Sequence, residues 1–131
     1  KGKLENGEIT GITPRTAVRR TVTQETSAAM REMLYNTRRS WRTNGLDAAG
    51  YYVGGKTGTA QVIKDGEYSF DETVATYIGF GGTEGELPAY VIMVRVWEDG
   101  KTAGGEAQAL PVFNVLKTYV QDYLKIEPAG N

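Results

Sequence analysis

The chain has 131 residues, with 15 Lys and Arg against 16 Asp and Glu and an apolar share of 40%, the size of one domain or part of one that can bury a core. Its charges are interspersed and sum to a formal −1 at pH 7, so there is no basic footprint for nucleic acid or an acidic membrane face. Histidine and cysteine are both absent, which excludes a Ser-His-Asp triad, a Cys-His pair, a His or Cys zinc site and a haem ligand of either type, and leaves Lys, Ser, Thr, Tyr or carboxylates to carry any chemistry.

Residues 1–14 alternate weakly and carry Gly2, Gly7 and Gly11, the marks of a loop or short hairpin. A helix is expected to begin near Thr23, a good N-cap, because Met30, Met33, Leu34 and Thr37 follow at helical spacing; the apolar stripe should enter the core. Residues 38–50 hold Arg38, Arg39, Arg42, Asn44, Gly45 and Gly50 and read as a polar surface loop, either near a site mouth or, more simply, solvated. Three strands follow. The first covers about 51–63 and ends at Lys64-Asp65-Gly66, whose Asp-Gly pair favours a tight hairpin. The second covers 73–82, and a Gly and Pro loop at 83–88 leads to the third at 89–97. The third is nearly continuous in apolar residues, so both of its faces should be covered. After the loop EDGKTAGG, residues 106–125 place Leu110, Phe113, Leu116, Val120 and Leu124 on one helical face, with Pro111 tolerable in an early turn. This order predicts an α/β (α+β) fold, an antiparallel β-sheet flanked by helices, with the strands as a meander and the last helix across them. No apolar run approaches a membrane span and no signal peptide opens the chain, so any anchor of a parent protein is expected outside it.

Two motifs share one stretch. Gly50, four residues, then Gly55, Lys56 and Thr57 satisfy the phosphate-loop pattern G-x-x-x-x-G-K-[ST], and VIMVRVWED imitates the apolar strand whose terminal Asp would hold magnesium. A phosphate loop follows a buried strand and starts a helix at Lys-Thr. Here a polar loop precedes it, strand-forming Tyr51, Tyr52 and Val53 lie inside it, and TGTAQVIKDG after it is poor helix material. The other reading puts Lys56-Thr57-Gly58-Thr59 on a strand. Alternation then sends Lys56 and Gly58 to one face and Thr57 and Thr59 to the other, so only an edge strand could use all four. Such an edge can align an extended peptide, with an ammonium and two hydroxyls suited to a carboxylate and the Thr59 amide aimed at an oxyanion. Peptide acyl transfer is the chemistry this suits.

GGKTGTAQ, then a glycine turn, a strand ending in GFGG, an apolar strand, a GG loop and a helix with an early Pro, resembles the C-terminal part of a penicillin-binding protein transpeptidase domain, nearest the class B enzymes of cell elongation and division. In that family, and in the related serine β-lactamases, three elements build the site: S-x-x-K, S-x-N and K-[ST]-G. Only the third is here: none of Ser27, Ser40 and Ser69 opens either of the first two patterns. The resemblance therefore implies that residues 1–131 are the C-terminal portion of a single transpeptidase domain whose first two motifs lie N-terminal to it. The parent would be a serine D-Ala-D-Ala transpeptidase that cross-links peptidoglycan through a serine ester, without metal or organic cofactor. It would be held at the extracytoplasmic face of the bacterial cytoplasmic membrane and work with the cell-wall synthesis machinery. This chain alone, without the nucleophile, would be inactive. Lys56 and Thr59 would be catalytic, Lys56 lending positive charge to the second-motif serine and the Thr59 amide forming half of the oxyanion hole. Lys56, Thr57, Gly58 and Thr59 would bind substrate, the threonines holding the terminal carboxylate of a D-Ala-D-Ala stem peptide or of a β-lactam and Gly58 permitting close approach.

Other readings stay open: a P-loop nucleotide-binding protein, a β-lactamase or carboxypeptidase on the same fold, and a noncatalytic peptide-binding module. Arg95 is expected to be salt-bridged or snorkelling on a mostly buried strand. Tyr51, Tyr52, Tyr68 and Tyr77 are placed to line a substrate groove or, as aromatics in strands more often do, to pack, and Tyr90 and Trp97 read the same way; Gly104 and Gly105 fit a loop near the cleft entrance and a plain turn before the last helix equally well.

Overall fold

In the computed structural model, residues 3–6, 8–10, 16–40, 45–98 and 100–130 are described. Strands β1 (Lys3–Glu5) and β2 (Glu8–Thr10) pair antiparallel, the short hairpin expected at this end. Helix α1 spans Gln24–Arg39 and starts where its cap demands: Thr23 is extended, and its hydroxyl accepts from the Thr26 amide at 3.1 Å. Basic Arg38 and Arg39 in its last turn and Glu25 in its first complement the helix dipole. Strands β3 (Tyr51–Lys64), β4 (Glu67–Thr83) and β5 (Tyr90–Val96) form an antiparallel meander in the order β3-β4-β5. A π-helical turn, Gly105–Ala109, leads into α2 (Leu110–Leu124), with Pro111 at its start.

The β3–β4 hairpin turns at Asp65 (φ 53°) and Gly66 (φ 86°), the pair of positive values that a two-residue turn requires. Strand β4 starts at Glu67, six residues before the apolar run begins. Its first residues need no apolar face, because they pair with the end of β3 as a ribbon beyond the core; Tyr68 and Phe70 on it are exposed. A register shift between Gln61 and Ile63 marks where the ribbon leaves the sheet.

One face of the sheet carries the core. Val53, Ala75, Tyr77 and Val94 pack there with Ala109, Leu110 and Phe113, and Ile92 and Val96 join the cluster. The opposite face is covered only in part. Helix α1 lies against β3, with Tyr35 stacked on Tyr52 at 4.6 Å and Tyr52 against Phe80 at 5.8 Å. Ile78, Val91, Met93 and Arg95 on this face are exposed. The expectation that both faces of the third strand are covered therefore fails, and Arg95 lies on an open face rather than a buried strand. An apolar run specifies a strand but not how many layers cover it.

Both helix stripes also need correction. Met30 and Met33 are exposed, while Arg38 is the buried residue of α1. In α2 the inward face is Leu110, Phe113, Lys117 and Gln121. Leu116 and Leu124 lie outside it, and Val120 is half-buried. The last turn of α2 closes on Lys125 in the left-handed region, and residues 126–129 return to the sheet, where Thr83 Oγ1 donates to the Glu127 carbonyl at 2.7 Å and the Ala129 amide to the Gly50 carbonyl at 2.9 Å.

Candidate functional site at the edge of the sheet

Lys56, Thr57, Gly58 and Thr59 stand in the middle of a 14-residue strand, paired with Ile78, Tyr77, Thr76 and Ala75 of β4. This removes the phosphate-loop reading, because Lys56 and Thr57 would have to open a helix. Strand β3 has β4 on one side and, among the described residues, no strand on the other, so one row of its backbone groups is available to an extended ligand. The Lys56 side chain is exposed and bends around the rim. Its Nζ donates to the Thr57 carbonyl at 3.1 Å and to Thr57 Oγ1 at 3.3 Å. The ammonium and the Thr57 hydroxyl, from opposite faces by alternation, thus meet at the edge.

Thr59 is placed from the other side of the sheet. The Gly105 amide, at the start of the π-helical turn, donates to Thr59 Oγ1 at 3.2 Å. Gly105 lies so close to β3 that a Cβ on it would be 2.6 Å from the carbonyl oxygens of Gly58 and Thr76. The backbone brought close to Gly58 is this chain's own Gly105. A Cβ on Gly58 itself would meet Thr76 Oγ1 at 2.5 Å.

Behind the edge sits a polar network that sequence reasoning missed. Arg38 Nε and Nη2 donate to the Asp47 carboxylate at 2.6 and 2.9 Å, Nη1 donates to Tyr77 Oη at 2.9 Å, and Nη2 also donates to Asn114 Oδ1 at 2.8 Å. Lys117 bonds the Leu46 carbonyl at 3.1 Å and Asp47 Oδ1 at 2.5 Å. The guanidinium carbon lies 5.2 Å from the Phe113 ring centroid. Burial alone would raise the Asp47 pKa, but the hydrogen bonds from Arg38 and Lys117 outweigh it and hold the carboxyl below its ordinary value. Burial pushes the Tyr77 hydroxyl up. Tyr77 in turn needs Gly55, because a Cβ there would stand 2.5 Å from Tyr77 Oη. So the glycine before Lys56 makes room for the hydroxyl that Arg38 holds. The solvated loop expected at 38–50 is overturned at Arg38; Arg42 and Asn44 lie outside the described residues. The available signal was an arginine ending a helix with an aspartate nine residues on, which does not by itself reveal burial.

A buried carboxylate, Glu72, lies at the root of the β3–β4 ribbon. Glu72 accepts from Trp97 Nε1 at 2.8 Å and the Gly100 amide at 3.1 Å and pairs with Lys64. The Lys64 hydrogen bond is the largest influence holding its pKa below the ordinary glutamate value. Among the described residues no group of three His, Cys, Asp or Glu is placed to hold a metal ion.

A cleft of about 540 Å³ opens between α1 and the β4–β5 loop, lined by Arg31, Glu32, Tyr35, Tyr52, Glu86 and Leu87 among others. It adjoins Tyr52, four residues before Lys56, and does not include the Lys-Thr-Gly-Thr segment.

The profile of the penicillin binding protein transpeptidase domain matches residues 2–117. Stage V sporulation protein D of Bacillus subtilis (strain 168) is 32% identical over 117 residues, which make up 88% of this chain and 18% of that protein. The chain thus spans less than a fifth of that relative's length. A crystal structure of penicillin-binding protein 3 from Mycobacterium tuberculosis, complexed with ampicillin, superposes with a TM-score of 0.68 at 24% identity, over 96% of this chain and 30% of that one. At that identity the likeness is one of fold.

Proposed function

The chain belongs to the penicillin-binding-protein transpeptidase family, and from that premise we propose that it is the C-terminal portion of a class B transpeptidase domain of the elongation or division type. Its part in the reaction is to present Lys56, Thr57, Gly58 and Thr59 to the acidic end of a D-Ala-D-Ala stem peptide. The observation that carries this reading is the exposed Lys56 ammonium gathered with the Thr57 hydroxyl on an edge strand, a cation and a donor beside an open backbone row. A terminal carboxylate accepts from both, and such charge-assisted bonds contribute roughly 1.5–3 kcal/mol each. Thr59 adds a hydroxyl donor, and its amide is offered to the oxyanion that forms when a peptide carbonyl is attacked.

In the parent enzyme a serine outside this chain attacks the penultimate D-Ala carbonyl, the terminal D-Ala leaves with a proton on its amine, and an acceptor amine then displaces the serine ester. A β-lactam enters the same reaction as its own carboxylate is held by the same edge. The serine and its lysine base belong to the segment N-terminal to this one, and the whole enzyme acts outside the cytoplasmic membrane among the cell-wall machinery. No helix among the described residues is long and apolar enough to cross a membrane. Incubation with a fluorescent penicillin followed by intact-mass analysis tests the division of labour. The chain should remain unmodified, and a stoichiometric acyl adduct on it would show that the nucleophile is here after all.

A further inference from the structure

We propose that Glu72 and Thr73 are positioning residues for the Lys56–Thr59 edge, tying the segment between β5 and the π-helical turn to the sheet so that the Gly105 amide stays on the Thr59 hydroxyl. The inference rests on the reading of that edge as a carboxylate site.

The tether is built from two adjacent residues of β4. Glu72 is 1% exposed, and its two oxygens are taken by Trp97 Nε1, the Gly100 amide and the Lys64 ammonium. A buried carboxylate so fully engaged fixes geometry more than it adds stability. Thr73 closes the next stretch. Its amide donates to the Lys101 carbonyl at 3.2 Å, and its hydroxyl donates to the Ala103 carbonyl at 2.7 Å while accepting from the Ala103 amide at 2.6 Å. Positions 97, 100, 101 and 103 are therefore all pinned to residues 72 and 73. Two residues beyond Ala103 the chain arrives at Gly105, whose amide reaches Thr59 Oγ1.

The chemical consequence falls on one proton. A threonine hydroxyl has one hydrogen to donate and lone pairs to accept with. With the Gly105 amide donating into a lone pair, the Thr59 hydrogen cannot turn toward Gly105. It is directed elsewhere, as donation to a carboxylate on the edge requires. Releasing the tether frees the hydroxyl to rotate, and the site loses a preset donor without losing any residue that touches the ligand.

The experiment uses amide-resolved NMR on the chain and its Thr73→Val, Thr73→Ser and Glu72→Gln variants, with hydrogen exchange and titration by a peptide ending in free-acid D-Ala-D-Ala. Valine matches the shape of Thr73 but keeps neither side-chain bond; serine keeps both; glutamine at 72 turns a donor amide on Gly100 and Lys64. Exchange at Gly105 should quicken at least tenfold in Thr73→Val and in Glu72→Gln while Ala75 and Tyr77 keep their protection, and the peptide Kd should rise about tenfold in both. Thr73→Ser should stay within twofold of the parent in exchange and in Kd. Unchanged Gly105 exchange in Thr73→Val and Glu72→Gln, or an unchanged Kd despite faster exchange, overturns the positioning role, as does a serine variant that behaves like valine. If the unsubstituted chain fails to bind the peptide, the carboxylate reading and the positioning role fall together, and the exchange data still decide whether the tether itself exists.

Discussion

Arg38 is fully enclosed, with Asp47, Tyr77 and Asn114 around its guanidinium and Lys117 sharing the carboxylate. Two cations on one anion means that removing the anion is the harsher change. Asp47→Ala should destabilise the chain by about 3–5 kcal/mol, the cost of buried charge without its partner, measurable by urea unfolding at neutral pH. The pH dependence follows from the depressed Asp47 pKa. In the unfolded chain the carboxyl titrates at its ordinary value, so the stabilisation is complete above that value and is lost as pH falls through the lower, folded one. Asp47→Asn should lack this part of the acid limb in a series of urea melts from pH 7 to pH 2; an acid limb of unchanged size would show that other carboxylates carry it. Gly55 is the second residue whose identity the network demands. Gly55→Ala would set a methyl 2.5 Å from Tyr77 Oη and 2.8 Å from the Ile78 carbonyl. The resulting overpacking should lower stability by about 1–3 kcal/mol, and thermal unfolding with no change in midpoint would contradict the contact.

Among the elements, the sequence was clearest where local chemistry decides. Thr23 caps α1, Asp65-Gly66 turns the hairpin, and β-branched and aromatic runs become β3, β4 and β5 in meander order. It was least clear where a distant partner decides. The α2 stripe was expected through Leu116, and Asp47 and the Leu46 carbonyl, some 70 residues away, select Lys117 instead. In the same way Arg38 looks solvated until Tyr77 and Asn114 arrive from β4 and α2. Lys56 on an edge strand was legible because its flanking residues are strand formers and poor helix formers, whereas the docking of Gly105 on Thr59 has no local signature. The α2 assignment yields a contrast. Phe113 is wholly buried against Tyr77 and above Gly79, while Leu116 is 39% exposed. Phe113→Ala should cost about 3–5 kcal/mol, and Leu116→Ala under about 1 kcal/mol. Equal losses in chemical denaturation would restore the stripe expected from periodicity.

At the scale of the whole molecule, one sheet face carries the core under α2, and a charged network closes α1 and the loop after it onto that face. The other face is bare over Ile78, Val91 and Met93. The Lys-Thr-Gly-Thr edge is held from the core face of this arrangement, by Tyr77 under Gly55 and by Gly105 beside Thr59. The chain belongs to the transpeptidase family, and the task proposed for this edge is to grip the acidic end of a peptide. The most direct measurement is an NMR titration of the chain with a D-Ala-D-Ala peptide bearing a free carboxylate, beside the same peptide as its carboxamide and beside the Lys56→Ala variant. The free acid should shift the Lys56, Thr57 and Thr59 amides saturably, and the carboxamide and Lys56→Ala should each weaken binding at least tenfold, the loss of one charge-assisted contact. Shifts that fall elsewhere, or that are the same for acid and carboxamide, would contradict the account.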